Sequence, residues 1–204
     1  MRQFTAFIEA TGYKTYSERR GEDKTWRSPH FDQTDQHPVV YVSWEDAAAF
    51  CQWLTSKEGE TYRLPTEAEW EFACRAGSTT RFHFGDDDTQ LDRYAWYRNN
   101  RGGSTKPVGQ KLANGFGLFD VHGNVGEWCS DWCETDYYRS SPPDDPRGPS
   151  SGTRRIVRGG TWNSLGPVTR SADRTFLFLP TVRDKCWGFR VARTIDVPSG
   201  RPAP

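Results

Sequence analysis

Regular helical periodicity is confined to the first 77 residues of this chain. Residues 3–10 carry apolar side chains on one helical face and are followed by Gly12, a residue type that commonly ends helices. Ser43 and Thr66 each precede an apolar pattern at helical spacing, and each is followed three residues later by an acidic residue, as at many helix starts. The last pattern ends before Gly77. A few short helices are therefore joined to a long remainder that must fold differently.

Beyond Gly77 the apolar residues occur in short alternating runs, as in residues 155–158 and 188–191, which indicates short strands. Only 34% of the residues are hydrophobic, yet the chain has 9 Trp, 12 Phe and 8 Tyr, so we expect an aromatic core. Abundant Gly and Pro favour loops. These features predict an α+β fold in which two helices, residues 43–59 and 66–76, pack on short strands with long irregular loops.

The length of 204 residues fits one domain, which we place at residues 1–194, and the proline-rich residues 195–204 are predicted to be disordered. Lys plus Arg and Asp plus Glu are both 27, so no net charge favours a nucleic-acid partner. No apolar stretch reaches membrane-spanning length, and the first residues lack a signal-peptide pattern. We expect no membrane insertion, a soluble chain and, if its start is genuine, a cytoplasmic location.

Six sequence motifs follow one another in a defined order. They are residues 4–13 (FTAFIEATGY), 38–44 (PVVYVSW), 63–71 (RLPTEAEWE), 114–120 (NGFGLFD), 122–128 (HGNVGEW) and a terminal bracket of 158–162 (RGGTW) with 188–190 (GFR). Together they resemble the formylglycine-generating enzyme, or sulfatase-modifying factor, family, over the chain from Phe4 to about Arg193. The resemblance implies a C-type-lectin-like fold.

Active members of that family resemble a copper-dependent oxidase with two cysteines, one directly after the Gly-Gly-Ser/Thr-aromatic-x string and one five residues later. Ser164 and Thr169 stand at those places here. Thiolates select Cu(I) and undergo redox chemistry, whereas an alcohol does neither at neutral pH. Gly126 also replaces a family aromatic residue. We therefore predict no oxidase activity and no copper, and keep a copper-dependent formylglycine-generating oxidase, or a related sulfatase-modifying enzyme, as the alternative.

The start of the chain also departs from the family pattern. Family members carry an earlier strand and a Gly-Gly-x-Phe-x-Met-Gly string before the first helix, whereas this sequence begins inside that helix. In the family, that strand pairs with the segment that corresponds to residues 189–192. If the sequence is truncated, we expect this segment to lack its partner and a localisation signal to be missing.

Residues 120–127 contain the best candidate for a metal site. Two carboxylates flank a glycine-bearing turn whose carbonyl oxygens can face the same centre, which suits Ca²⁺. A solvated acidic turn explains the same residues without a metal. The family resemblance implies calcium ligands at the side chains of Asp120 and Glu127 and at the backbone oxygens of Gly123 and Val125. On that basis we predict a structural Ca²⁺.

The cysteines are odd in number and lack a Cys-x2-Cys pair, which argues against a zinc ribbon or a full disulfide framework. We expect Cys51 and Cys74 to be buried thiols that pack as small hydrophobic groups. The same interpretation leads for Cys129 and Cys133, although these two are close enough in sequence to pair. Cys186 would be reactive if it were exposed.

Inside the terminal bracket, residues 176–179 form an apolar run where the resemblance leads us to expect a polar loop. An exposed apolar run typically marks a binding surface, with Phe176, Leu177 and Phe178 as anchors. A strand buried in the sheet explains the run equally well, because its residue types favour strands. Both alternatives stay open.

This segment also resembles the variable region of the target proteins of diversity-generating retroelements, which share the fold. Adenines are randomised there, so that an AAC codon yields many residue types but never Glu, Gln, Lys, Met or Trp. Lys185 and Trp187 would then be fixed positions. The candidate variable and ligand-binding positions are Asn163, Ser164, Leu165, Val168, Asp173, Thr175, Phe176, Leu177, Phe178, Val182, Asp184 and Cys186.

These observations predict a non-catalytic domain that displays a variable C-terminal surface to an unknown protein or other macromolecular ligand. The competing hypothesis is an oxidase or modifying factor whose redox residues lie elsewhere in the chain. A third is an accessory domain of a larger assembly.

Overall fold

The computed structural model describes residues 1–100 and 102–195. The helices are α1 (Arg2–Thr11), α2 (Tyr16–Arg19), α3 (Trp44–Glu58) and α4 (Glu67–Arg75). The helix ends follow the local sequence signals: Gly12 ends α1 with a φ of 65°, and the side chains of Ser43 and Thr66 accept hydrogen bonds from the third residue of α3 and α4. The predicted boundaries are thereby confirmed for α1, α3 and α4.

Six short strands complete the fold. They are β1 (Tyr62–Arg63), β2 (Gly126–Trp132), β3 (Arg155–Arg158), β4 (Phe176–Phe178), β5 (Trp187–Gly188) and β6 (Ala192–Arg193). Strands β1 and β6 form a two-stranded sheet, and a four-stranded sheet has the order β4-β3-β2-β5. Neighbours in that sheet are antiparallel except for β2 and β5. The α+β, C-type-lectin-like class predicted from the sequence is confirmed.

The predicted strand at residues 188–191 is interrupted. Strand β5 ends at Gly188 and β6 begins at Ala192, and residues 189–191 form no main-chain hydrogen bond with any other described residue. A groove of about 670 Å³ runs beside them, with walls from α1, α3 and the loop that ends at Asp120.

Aromatic rings fill the core, as the composition predicted. Phe4 contacts Phe7, Trp26 and Phe50 at centroid distances of 5.4, 5.1 and 6.0 Å, which joins α1 to α3. A second cluster surrounds Trp128, which is fully buried in β2. Rings of this size bury much apolar surface per residue, so a chain poor in aliphatic residues still forms a core.

Buried amide side chains hold the long loops between Tyr94 and Gly126. The Asn114 amide donates to the carbonyls of Ala73 and Cys74 at 2.7 and 3.1 Å, and its oxygen accepts two main-chain N–H groups. The Asn124 side chain exchanges two hydrogen bonds with the main chain of Lys106, both of 3.0 Å. These bonds satisfy backbone groups that helices and strands would otherwise pair.

The predicted tail, residues 195–204, lies outside the described residues from position 196 onward. Within residues 1–100 and 102–195, no helix combines the length and apolar character that a membrane span requires.

Candidate functional site

The terminal bracket begins with a tight turn that only glycine fits. Gly159 and Gly160 follow β3 with φ values of 99° and 68°. A Cβ at Gly159 would lie 2.9 Å from the Trp70 ring, and one at Gly160 would lie 2.7 Å from the Thr169 side chain. The turn therefore brings the main chain directly against α4 and against Thr169. Ser164 and Thr169 are both buried close to this Gly-Gly turn.

The hydroxyls at the two family cysteine positions are used in local structure. Ser164 Oγ accepts the Thr161 N–H at 3.0 Å, and Thr169 Oγ1 donates to the Gly166 carbonyl at 2.8 Å. Both residues are buried. The Thr169 carbonyl also accepts a 2.8 Å hydrogen bond from His122 Nδ1. These two side chains stabilise the loop after the Gly-Gly turn and offer no thiolate to a metal.

All five cysteines are free thiols. Burial raises the pKa values of Cys51, Cys74 and Cys186 to about 12, and that of Cys129 well above its ordinary value. Thiolate is the reactive form of cysteine, so these groups stay protonated and unreactive near neutral pH. The interpretation of Cys51, Cys74 and Cys129 as packing residues is confirmed, Cys133 is half-buried, and Cys186 is not exposed.

The apolar run at residues 176–178 is strand β4, at the edge of the four-stranded sheet. Phe176 and Phe178 lie on one face, with ring centroids 4.8 and 5.0 Å from that of Trp187. Leu177 packs on the opposite face against the cluster around Trp70. All three side chains are half-buried, so the strand alternative describes this run. Leu165 and Leu179, each 51% exposed, are the accessible aliphatic side chains of the segment.

The position of Trp187 accounts for the glycine at position 126, where the family pattern has an aromatic residue. A Cβ on Gly126 would lie 2.8 Å from the Trp187 ring and 2.8 Å from Val157 Cγ1. Trp187 therefore fills the space into which a side chain at position 126 would project.

Framework arginines tie the segment to the rest of the fold. Arg158, 1% exposed, pairs with Glu71 and donates to the Ser171 carbonyl at 2.9 Å. Arg174 Nε lies 2.9 and 3.1 Å from the two carboxylate oxygens of Glu67. Arg183 pairs with Glu22 in the same way, at 3.0 Å from Nε. These pairs fix the segment at three points to residues outside it.

The predicted variable positions lie in three parts of the fold, apart from Leu177, which packs on the opposite face of β4 against the cluster around Trp70. Trp162 Nε1 donates to the Lys185 carbonyl at 3.1 Å and so joins the loop of Asn163 and Ser164 to the loop of Asp184 and Cys186. A second group, Phe176, Phe178 and Val182, packs against the cluster that contains Trp187. The third comprises Leu165, Val168, Asp173 and Thr175, which belong to the turn at residues 165–175.

Asp173 has a structural part in that turn. One carboxylate oxygen lies 3.3 Å from Arg170 Nη2, and the other accepts the Thr175 N–H at 3.1 Å. Its carbonyl accepts a hydrogen bond from the buried Arg158. A substitution at position 173 would therefore alter the turn as well as the surface.

The predicted calcium ligands lie in one loop, but their side chains have different partners. Asp120 has a φ of 61°, its Oδ2 accepts the Gly109 N–H at 2.8 Å, and its buried Oδ1 has no partner among the described residues. Burial raises the pKa of Asp120. The free oxygen is a ligand of the kind that Ca²⁺ binds.

Glu127 fits a calcium ion less well. Both of its carboxylate oxygens are bound by Arg190, and Oε2 also accepts the Trp70 indole N–H at 2.7 Å. Gly123, whose main chain lies close to Trp96, and Val125 complete the loop. No three His, Cys, Asp or Glu side chains gather as a metal site within residues 1–100 and 102–195. The Ca²⁺ site stays a prediction, with Asp120 as the residue that fits it best.

Comparisons with known proteins show the family of this chain. The model of the sulfatase-modifying factor enzyme 1-like domain family matches residues 1–195. The chain is 34% identical to the formylglycine-generating enzyme of Streptomyces coelicolor, over 98% of this chain and 77% of the relative. It belongs to the sulfatase-modifying factor family.

Two solved structures are similar to most of the chain. PvdO from Pseudomonas aeruginosa superposes with a TM-score of 0.81 and 31% identity, over 94% of this chain and 76% of PvdO. Treponema denticola variable protein 1 superposes with a TM-score of 0.74 and 30% identity, over 86% of this chain and 79% of that protein. The sulfatase-modifying factor fold thus unites this chain with relatives named as enzymes and with one named as a variable protein.

A cavity of about 340 Å³ lies beside the terminal bracket of this chain and was not predicted from the sequence. Its wall includes Lys24, His30 and Tyr41 from the N-terminal part of the chain and Asp184 and Lys185 from the bracket. Residues so far apart in sequence, in loops without periodicity, leave no local pattern. The positive φ values of His30 and Tyr41, 66° and 56°, become visible only in the structure.

Proposed function

We propose that this member of the sulfatase-modifying factor family is a non-catalytic ligand-binding module. Its binding surface is formed by the parts of residues 163–186 that the fold leaves accessible, and its partner is a protein or other macromolecule. We further propose that it is a target protein of a diversity-generating retroelement. The alternative is a copper-dependent formylglycine-generating oxidase, which the names of its relatives favour.

One observation carries the proposal. The two positions at which active relatives have redox cysteines hold Ser164 and Thr169, and their hydroxyls are engaged with Thr161 and Gly166. The remaining thiol inside the bracket, Cys186, is buried, with a pKa raised to about 12. A soft, ionised sulfur pair for Cu(I) is therefore missing from the place where the family has it.

Two further features support the proposal that residues 163–186 present a binding surface. The likeness to Treponema denticola variable protein 1 covers 86% of this chain. The framework arginines hold the segment through Glu22, Glu67 and Glu71, all outside it. An anchored segment of this kind tolerates substitution at its accessible positions, which a variable binding surface requires.

Oxygen consumption with a cysteine-containing peptide and Cu(I) tests the absence of catalysis. We expect the protein to give the background rate, and the Ser164→Cys/Thr169→Cys variant, which restores both thiols, is the matched comparison. Copper-dependent turnover by the unaltered chain that is lost on Ser substitution of Cys186 or Cys129 would overturn the binding-only proposal.

Population sequencing tests the diversification. The codons for residues 158–190 would be sequenced from many individuals of the source organism, and the flanking DNA searched for a near-identical repeat. Variation confined to the permitted positions, with AAC codons in the repeat, is the expected result. An invariant segment without a repeat would contradict diversification and leave a static binding module.

A further inference from the structure

We propose that the cavity between residues 24–41 and the loop of Asp184 and Lys185 binds an anionic oxygen group, a carboxylate or phosphate, of the ligand. The inference rests on the proposed binding function, because Asp184 belongs to the predicted variable surface. The cavity of about 340 Å³ has room for a group of side-chain size.

Two ammonium groups supply the positive charge. Lys24 and Lys185 both line the cavity, and neither forms an ion pair with a carboxylate among the described residues. Lys185 is fixed in place, since its carbonyl accepts the Trp162 indole N–H and its ammonium group lies 5.4 Å from the Trp162 ring centroid. An anion between two such cations gains attraction from both and removes their mutual repulsion.

The backbone of the cavity is held in an unusual conformation. His30 and Tyr41, which both line it, have φ values of 66° and 56°, a left-handed region that side chains with a Cβ rarely occupy. The Tyr41 N–H donates to the Asp184 carbonyl at 3.0 Å and so links the two sides of the cavity. Such strain is typically kept where a binding geometry is pre-organised.

Asp184 opposes the two lysines within the same wall. Its Oδ1 accepts the Cys186 N–H at 3.0 Å, which fixes the carboxylate at the cavity. Its negative charge weakens binding of an anion, so the residue at position 184 sets the affinity of a site whose cations are constant. The variable position thereby tunes a fixed anion site rather than creating a new one.

Titration of the full-length protein with N-acetyl-L-glutamate and with inorganic phosphate, at constant ionic strength, tests the site by calorimetry. We expect saturable binding that weakens about fivefold or more in Lys24→Gln and in Lys185→Gln and strengthens about fivefold in Asp184→Asn. Lys14→Gln removes the same charge at an exposed residue that does not line the cavity, and this variant should bind as the unaltered protein does. The tighter probe identifies the source, a polypeptide carboxylate or a phosphate.

Binding that is equal in the unaltered protein and both lysine variants would overturn the inference, as would no binding by Asp184→Asn. Circular dichroism of each variant checks that it is folded. The oxygen-consumption experiment decides the proposed function separately, because catalysis would contradict that proposal whether or not the cavity binds an anion.

Discussion

The guanidinium of Arg190 binds both carboxylate oxygens of Glu127, with Nε 2.9 Å from Oε2 and Nη2 2.8 Å from Oε1. Nη2 also donates to the Phe119 carbonyl at 2.9 Å. The pair therefore joins the segment after β5 to the start of β2 and to the loop before Asp120. Arg190 therefore places a positive charge next to Glu127, in the loop for which the sequence predicts a calcium ion.

Arg190→Met should destabilise the protein by about 3 kcal/mol, because the Glu127 side chain, 7% exposed, would lose the cation that compensates its charge. Urea denaturation at pH 7 measures the change. Arg193→Met, which breaks an exposed pair with Glu60 at 3.8 Å, should cost less than about 0.5 kcal/mol. Adding Glu127→Gln to Arg190→Met should restore part of the loss; an equal effect of the two arginine variants would contradict this assignment.

Calcium binding is tested in the same loop by thermal unfolding with and without Ca²⁺. If the predicted site exists, calcium at 100 times its Kd stabilises the protein by about 2.7 kcal/mol, and Asp120→Asn removes the effect. Arg190→Met should respond more strongly than the unaltered chain, since it releases the Glu127 carboxylate from its cation and leaves Oε1 without a partner. A melting temperature unaffected by calcium in both proteins would show the prediction to be wrong; magnesium serves as the control ion.

Acid should destabilise the fold through His122. Burial lowers the pKa of this histidine to about 3, whereas in the unfolded chain it titrates near 6.5. The unfolded state therefore binds the proton first, and stability present above about pH 6.5 is lost by about 1.4 kcal/mol for each pH unit below it, down to the folded pKa. Urea denaturation between pH 7 and pH 5 should show a shallower dependence of stability on pH in His122→Gln than in the unaltered protein.

The sequence predicted the helices well because their signals are local. The Ser43 and Thr66 capping boxes and the glycine after α1 act within one turn of the chain, and the structure shows each of them. Residues 155–158 alternate and form β3 as expected. Residues 188–191 look the same in sequence but form a strand only in part, because strand formation also needs a partner, and no local pattern reports one.

The site was harder to predict than the fold. The run at residues 176–178 fits an exposed anchor and a half-buried strand equally well, and the distant Trp187 decides between them. The pairing of Glu127 with Arg190 joins residues 63 positions apart, so the acidic loop alone suggested a metal site or a solvated turn and gave no sign of the ion pair. The predicted binding positions stay a prediction as a set, since they are spread over several parts of the fold.

Gly126 and Trp187 offer the most direct test of how this chain departs from its family. Gly126→Ala should cost about 1–3 kcal/mol, because its Cβ would lie 2.8 Å from both the Trp187 ring and Val157. Gly115→Ala, whose Cβ would meet its nearest atom at 3.5 Å, is the matched control and should cost much less.

Trp187→Leu opens the space beside position 126, so the double variant Gly126→Ala/Trp187→Leu should be more stable than the two single costs predict. We expect a coupling energy of at least about 1 kcal/mol in urea denaturation. Strict additivity would mean that Trp187 does not occupy the space of the family's aromatic residue. Coupling of the expected sign would instead support the interpretation that Trp187, from β5, fills the space that an aromatic residue at position 126, in β2, would fill in other family members. The packing beside the bracket would then be preserved.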